Sequence, residues 1–175
     1  MPLLQMQTAP MLIMIFVLCP FIQVTGALIG RKVPYRRLNP DGALYRSRRW
    51  ERNGKIYKKL LVYKWKNLLP DGAKYFKGDF TKKHLLSTDS EYIAKFLKES
   101  CRAELVHWLG MLPFVLFFLL VPPLVAGLLV LYAVFANLPC IIAQRYNRPR
   151  LAALYKITVA REMRKREPKT EEQDA

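Results

Sequence analysis

Two long stretches of this chain lack charged side chains, and they constrain its fold more than any other feature. No Asp, Glu, Lys or Arg occurs in residues 1–30 or in residues 105–144, although the chain carries 29 basic and 13 acidic residues and a net charge of +16. About 20 apolar residues cross the hydrocarbon core of a bilayer as a helix. The first stretch therefore supplies one span, Met11 to Gly30, and the second supplies two. A simple soluble domain is excluded.

The second stretch is expected to fold back on itself. Forty helical residues would extend about 60 Å, about twice the hydrocarbon thickness. Pro122 and Pro123 lie near its middle, and the second proline lacks an N–H and pushes the first out of the helical region. We therefore expect spans at about Leu105 to Val121 and Leu124 to Ala143. The sequence predicts a mainly α integral membrane protein with about three transmembrane helices, one N-terminal and two in a helical hairpin.

The charges divide the chain into four segments and orient it in the membrane. Residues 31–104 carry 20 basic and 8 acidic side chains, and residues 145–175 carry 9 and 5. Basic segments stay on the cytoplasmic side. We expect a multi-pass cell-membrane protein with residues 1–30 as an anchor, residues 31–104 as a cytoplasmic loop, residues 105–144 as the hairpin and residues 145–175 as a cytoplasmic tail. A cleaved signal peptide is the alternative for residues 1–30, although the usual positive n-region is absent.

The loop of residues 31–104 interleaves aromatic with basic side chains. Such side chains settle at lipid headgroups, and they would also suit single-stranded nucleic acid. Membrane anchoring disfavours nucleic acid, whereas docking of an anionic substrate, such as an acyl carrier protein or the phosphates of coenzyme A, stays open. Lys55 to Trp65 fits either a strand or a short amphipathic helix. Asp89 to Glu104, with Asp89 or Ser90 as N-cap, predicts a helix that runs into the second span.

Two polar side chains inside the hairpin, His107 and Asn137, are candidates for chemistry. Polar groups within a span are costly and default to a functional hypothesis, although Asn also joins packed helices. A turn at the two prolines places both residues at the same depth. Glu104 lies one helical turn from His107, so His107 is predicted as general base, Glu104 as the group that holds its tautomer, and Asn137 as an oxyanion or hydroxyl partner. A hydrogen bond that merely packs the hairpin is the alternative.

An arginine-rich block, Gln144 to Leu151 (QRYNRPRL), follows the third span. It fits the positive flank of a span, but three arginines favour directed binding of phosphate or carboxylate, which the guanidinium group grips bidentately. Beyond Arg161 the tail has no apolar face and is expected to fray or to be disordered. Cys19, Cys101 and Cys140 form no metal-ligand pattern, so neither a metal site nor a disulfide framework is expected.

The residues around the hairpin resemble a known family. The matching motifs are Arg102 to Trp108 (RAELVHW), Leu112-Pro113, Ala136 to Pro139 (ANLP) and QRYNRPRL, preceded by Glu51, Gly54-Lys55, Val62, Lys64 to Lys66, Asp71-Gly72 and His84-Leu85. In this order they closely resemble the glycosyl-4,4'-diaponeurosporenoate acyltransferase family of staphyloxanthin-type carotenoid biosynthesis. The resemblance covers about Gly54 to Leu151 and is most specific in the hairpin and the arginine block.

This resemblance implies a membrane acyltransferase that esterifies a sugar hydroxyl of a glycosylated C30 carotenoid acid with a fatty acyl chain. The implied partners are the glycosylated apocarotenoid, membrane lipid and an acyl donor, either acyl-CoA or an acyl carrier protein. No cofactor and no nucleic acid are expected, and a homo-oligomer would enclose a long polyene better than three spans do. The alternative function is a non-catalytic membrane subunit that binds polyene lipid or holds a carotenoid-modifying complex together.

The resemblance supplies no established catalytic residues, so the roles rest on chemistry. His107, Glu104 and Asn137 are the catalytic candidates. The substrate-binding candidates lie beside the hairpin or in the loop before it: Trp108, Arg145, Tyr146, Asn147, Arg148, Arg150 and His84. The three arginines would contact a phosphate-bearing acyl donor. His84 is either a second candidate base or a surface histidine.

Overall fold

A computed structural model describes residues 7–69 and 89–166 of the chain, and no strand occurs in those two ranges. The α-helices are α1 (Thr8–Lys32), α2 (Ile56–Lys59), α3 (Val62–Trp65), α4 (Ser90–Met111), α5 (Phe117–Leu120) and α6 (Pro123–Arg166). Short 3-10 helices occupy Tyr35–Arg37, Arg49–Glu51, Lys66–Leu68 and Leu112–Leu116. The predicted mainly α architecture is confirmed.

Three helical segments are long and apolar enough to cross a membrane: Thr8–Lys32, Ser90–Leu120 and Pro123–Lys165. Many of their large apolar side chains face outward; Phe16 is 82% exposed and Phe135 is 71% exposed. Such exposure suits contact with lipid rather than water. The three predicted spans are confirmed, and the chain is a membrane protein.

The hairpin turns where the two prolines predict it. Val121 is extended, with φ −130° and ψ 164°, and α6 begins at Pro123, where the missing N–H of a proline costs nothing. The arm before the turn is less regular than predicted. α4 tightens into the 3-10 helix at Leu112–Leu116, which contains Pro113, because this proline cannot donate the backbone hydrogen bond that a continuing α-helix requires.

α4 begins at the predicted cap and runs into the second span. Oδ1 of Asp89 accepts a hydrogen bond from the Tyr92 N–H at 2.7 Å. At the same helix end, the Glu162 carboxylate accepts hydrogen bonds from the Ser90 N–H at 3.0 Å and the Ser90 hydroxyl at 2.6 Å. These bonds tie the start of α4 to α6, which stays helical through Arg166. Residues 162–166 of the tail are therefore helical, and residues 167–175 lie outside the described ranges.

Glycines allow α1 to approach α4 closely. Gly26 and Gly30 are buried. A Cβ at Gly26 would lie 3.2 Å from backbone atoms of Leu109 and Gly110, and one at Gly30 would overlap Cγ2 of Val106. Small residues four apart commonly mark the contact face of membrane helices, because they let two backbones pack closely. This packing holds α1 against the hairpin.

The ambiguous Lys55 to Trp65 segment consists of two helical turns, α2 and α3. Leu61 between them has φ +51°, a left-handed conformation that interrupts the helix. Tyr57 and Val62 are buried against Tyr146 of α6. The segment therefore packs on the part of α6 that follows the third span, at the end of the bundle opposite the Pro122–Pro123 turn.

Candidate active site

The structure brings His107 and Asn137 together across the hairpin. Nδ1 of His107 on α4 lies 3.0 Å from Oδ1 of Asn137 on α6. Asn137 is 3% exposed and His107 is partly buried. We refer to these two residues as the membrane pair. Their contact agrees with the equal depth predicted from the position of the turn.

The hydrogen-bond directions indicate which ring nitrogen of His107 carries the proton. The Asn137 side-chain amide donates from Nδ2 to the Ala133 carbonyl at 2.9 Å, so Oδ1 is the atom turned toward His107. An amide oxygen only accepts hydrogen bonds. Nδ1 of His107 must therefore carry the proton and donate it. In the neutral imidazole, Nε2 then holds the lone pair that accepts a proton.

A third polar side chain, Gln23 of α1, lies next to the membrane pair. A Cβ at Gly110 would overlap Oε1 of Gln23 and lie 3.1 Å from Oδ1 of Asn137. The bare Gly110 backbone thus leaves room for amide groups from two other helices. Sequence reasoning missed Gln23, although a polar residue inside an apolar span is the same signal that identified Asn137.

Glu104 is fully buried and carries a different set of contacts. Its Oε1 accepts from Arg145 Nε at 2.8 Å and from Trp108 Nε1 at 3.3 Å. Its Oε2 lies 2.7 Å from Arg148 Nη2. The predicted candidates Glu104, Arg145, Arg148 and Trp108 therefore meet one helical turn from His107. Their meeting shows that the arginine block faces α4.

A second buried carboxylate, Glu51, completes this group. Glu51 is 1% exposed, and its Oε1 lies 2.9 Å from Arg145 Nη1. We call Glu51, Glu104, Arg145 and Arg148 the charged cluster. It contains two carboxylates and two guanidinium groups, so its formal charges cancel. Sequence reasoning noted Glu51 only as a motif match; an acidic residue within a strongly basic loop was the available signal.

Neighbouring groups keep the Glu51 carboxylate ionised. Burial raises the pKa of its carboxyl, but hydrogen bonds from the Tyr57 hydroxyl, the Arg48 backbone and Arg145 outweigh burial and lower that pKa below its ordinary value. The Tyr57 hydroxyl donates to Oε1 at 2.5 Å, and the Arg48 N–H donates to Oε2 at 2.5 Å. Burial and the Glu51 carboxylate raise the pKa of Tyr57. Glu51 therefore stays ionised at neutral pH.

The two arginines also fasten the loop to the helices. Arg148 is 4% exposed and donates to the Tyr45 carbonyl at 2.8 Å and the Ser100 carbonyl at 3.1 Å. Arg145 donates to the Leu44 carbonyl at 2.8 Å. These contacts join the loop, α4 and α6 at one point. Both guanidinium groups are thus engaged by protein acceptors.

The remaining substrate-binding candidates lie on the next turns of α6. Tyr146 is buried, and the Arg150 guanidinium lies 3.7 Å from its ring centroid and donates to its carbonyl. Asn147 Oδ1 accepts from Lys66 Nζ at 2.8 Å. Burial lowers the pKa of the Lys66 ammonium, and the Arg150 charge lowers it further. His84 lies outside the described residues.

Comparison with known proteins decides the family. Residues 41–157 match the family described as glycosyl-4,4'-diaponeurosporenoate acyltransferase. This chain belongs to that family. A relative with this name from Staphylococcus aureus (strain bovine RF122 / ET3-1) is 37% identical over 137 residues, which cover 78% of this chain and 82% of the relative. Another, from strain Newman, is 36% identical over the same shares. No solved structure matches the chain.

The family match shows which part of the chain is shared with the relatives. Residues 41–157 include both the membrane pair and the charged cluster, whereas α1 with Gln23 precedes them. The predicted family and the predicted acyltransferase activity are confirmed. The membrane pair and the charged cluster thus lie within the region that defines the family.

Proposed function

We propose that this acyltransferase esterifies a sugar hydroxyl of a glycosylated C30 carotenoid acid with a fatty acyl chain. The name of its relatives supports this substrate. The membrane location supports it too, because an apolar polyene can lie along the exposed apolar faces of the spans while its sugar lies near the membrane surface. The observation that carries the proposal is the His107–Asn137 hydrogen bond at 3.0 Å, which leaves Nε2 as the basic nitrogen.

The proposed reaction is transfer of the acyl group from a thioester to the sugar oxygen. Nε2 of His107 accepts the proton of the sugar hydroxyl as its oxygen attacks the thioester carbonyl. The carbon–sulfur bond breaks, and the departing thiolate receives that proton from the imidazolium. The products are the sugar ester and a free thiol. Asn137 holds the reactive tautomer, and the nearby Gln23 amide is a candidate donor to the carbonyl oxygen as it becomes negative.

Glu104 has a positioning role in this proposal. The sequence predicts it as the group that holds the imidazole tautomer, but Asn137 Oδ1 already accepts from Nδ1. The Glu104 carboxylate instead binds Arg145 and Arg148. We assign it to fixing the α4 turn that precedes His107. Arg145 and Arg148 act in the same way, by holding the loop over the end of the hairpin.

The contacts to the two substrates are assigned by position. The end of the hairpin opposite the Pro122–Pro123 turn is where a sugar or a donor headgroup would arrive. At or just beyond that end lie Trp108, Tyr146, Asn147 and Arg150. His84 stays a candidate from the sequence alone. A homo-oligomer would add walls around the polyene.

The proposed orientation places the loop and the tail in the cytoplasm. Arg31 and Lys32 end α1, and Arg145 and Arg148 reach Glu104, so the basic ends of the spans share one side. Basic flanks stay on the cytoplasmic side. A reporter fused to the C-terminus should be active in the cytoplasm, and an external reporter would contradict this orientation.

The activity is tested with the full chain in membranes. A glycosylated apocarotenoid is supplied with either acyl-CoA or acyl carrier protein as donor, and the ester is measured by mass spectrometry. His107→Ala should lower the rate by about 10²- to 10⁴-fold, the usual contribution of a general base. Met163→Ala, at a 63% exposed apolar position of α6 beyond the matched residues 41–157, is the control and should retain the parental rate.

Two outcomes would contradict separate parts of the proposal. Equal ester formation by His107→Ala in normally inserted protein would exclude His107 as the base. Absence of ester from the unaltered chain with both donors would exclude the glycosylated carotenoid as substrate. Asn137→Ala should lower the rate less than His107→Ala, because the imidazole remains and only its tautomer and orientation are released.

A further inference from the structure

A cationic cleft lies beyond the charged cluster, on the side of the loop and the extended part of α6. Its volume is about 650 Å³, within the range of ordinary small-molecule sites. The loop contributes residues between Pro40 and Lys58, and α6 contributes residues between Arg145 and Lys156. The cleft is therefore formed between two elements that the charged cluster holds in place.

The charge of this cleft comes from exposed basic side chains. Four exposed cations line it: Arg46, Lys55, Lys58 and Lys156. Within residues 7–69 and 89–166, none of these four takes part in an ion pair. Asp41 is the exposed carboxylate among the lining residues, and the other one, Glu51, is bound to Arg145. The uncompensated charge of the cleft is strongly positive and favours a ligand with several negative charges.

A strained turn presents part of this surface. Arg52, Asn53 and Gly54 have consecutive positive φ angles of 48°, 54° and 77°. For residues other than glycine such angles are unfavourable and concentrate at functional sites. Gly54 packs on α6, where an added Cβ would lie 3.3 Å from the Arg145 and Tyr146 carbonyls. The turn places Asn53 and Lys55 on the wall of the cleft.

We infer that this cleft binds the phosphate groups of the acyl donor, and that the donor is a coenzyme A thioester. The inference rests on the proposed function. It moves the donor's phosphates from Arg145 and Arg148, which bind protein acceptors, to Arg46, Lys55, Lys58 and Lys156. The nucleotide of coenzyme A carries a diphosphate and a 3'-phosphate, which suit several dispersed cations. The prosthetic group of an acyl carrier protein carries a single phosphodiester.

The position of the cleft suits delivery of the thioester to the base. Arg145 lines the cleft and also binds Glu104, and His107 follows Glu104 by one turn, about 4.5 Å along the helix axis. A nucleotide held in the cleft would leave the flexible pantetheine arm to extend past the charged cluster toward Nε2 of His107. The cleft and the membrane pair would thus bind opposite ends of one donor.

The test is coenzyme A binding to the purified full chain in nanodiscs, measured by calorimetry. The double variant Lys55→Ala/Lys58→Ala should weaken binding at least about tenfold, since two charge-assisted contacts are lost. The double variant Arg49→Ala/Lys59→Ala removes two exposed charges from the same loop, and these residues do not line the cleft. It should bind within about twofold of the parent. Equal weakening by both double variants would overturn the inference.

Further measurements separate the sources of phosphate and the two proposals. Dephospho-coenzyme A, which lacks the 3'-phosphate, should bind several-fold more weakly. If nanodiscs of anionic phospholipid abolish coenzyme A binding, the cleft binds lipid headgroups instead. If the enzyme is active with acyl carrier protein alone, the choice of donor is overturned. His107→Ala should retain coenzyme A binding, so loss of catalysis and loss of donor binding are distinguished.

Discussion

The membrane pair and the charged cluster lie one helical turn apart on α4, yet they differ in what a proton does to them. The charged cluster joins two carboxylates to two guanidinium groups that also bind backbone carbonyls of the loop and α4. Protonating it would remove an ion pair and loosen three segments at once. The membrane pair is an imidazole and an amide joined by a hydrogen bond across the hairpin, so we expect its histidine to exchange a proton while the helices keep their positions. The charged cluster therefore holds these segments together, and the membrane pair is where we expect the chemistry.

The largest expected effect on stability is that of Glu104→Gln. This change removes the carboxylate between Arg145 and Arg148 and leaves buried positive charge uncompensated, which typically costs about 3–5 kcal/mol. Denaturant unfolding in detergent micelles measures it. Glu91→Gln, at an exposed position on the same helix, is the control and should cost less than about 1 kcal/mol. A Glu104→Gln variant as stable as its parent would contradict the cohesive role of the charged cluster.

The difference between the two groups also explains what the sequence could predict. His107 and Asn137 were paired correctly because two prolines locate the turn and a helix rises by a constant amount per residue. The partner of Glu104 was not predictable in that way. Local spacing favours His107 three residues away, but Arg145 and Arg148 reach Glu104 from across the hairpin, and the energy of a buried carboxylate favours those charges. Glu51 illustrates the same limit, because its burial depends on how the loop folds over α6 rather than on its neighbours in sequence.

A smaller effect is expected at Gly110, where the membrane pair meets α1. A Cβ there would overlap Oε1 of Gln23 and lie 3.1 Å from Oδ1 of Asn137, so Gly110→Ala should cost about 1–3 kcal/mol by overpacking. It should also lower the rate of ester formation, because Asn137 is displaced from His107. Gly127→Ala is the matched control, since an added Cβ there meets nothing within 4 Å. Equal behaviour of the two variants would show that the contact between α1 and the membrane pair is unimportant.

The smallest predicted effect is a pH dependence of stability that belongs to the charged cluster alone. Hydrogen bonds from Tyr57, Arg48 and Arg145 lower the pKa of Glu51 below its ordinary 4.5 despite burial. A carboxyl with a lowered folded-state pKa adds stability above its unfolded-state pKa and loses it as the pH falls through the folded-state value. The unfolding midpoint should therefore decline below about pH 4.5, and less steeply in Glu51→Gln, whose side chain does not titrate there. His107→Gln, a change in the membrane pair, should leave that acidic decline intact, because the groups that lower the pKa of Glu51 are Tyr57, Arg48 and Arg145. A decline of equal steepness in Glu51→Gln and its parent would place the acid sensitivity elsewhere in the chain.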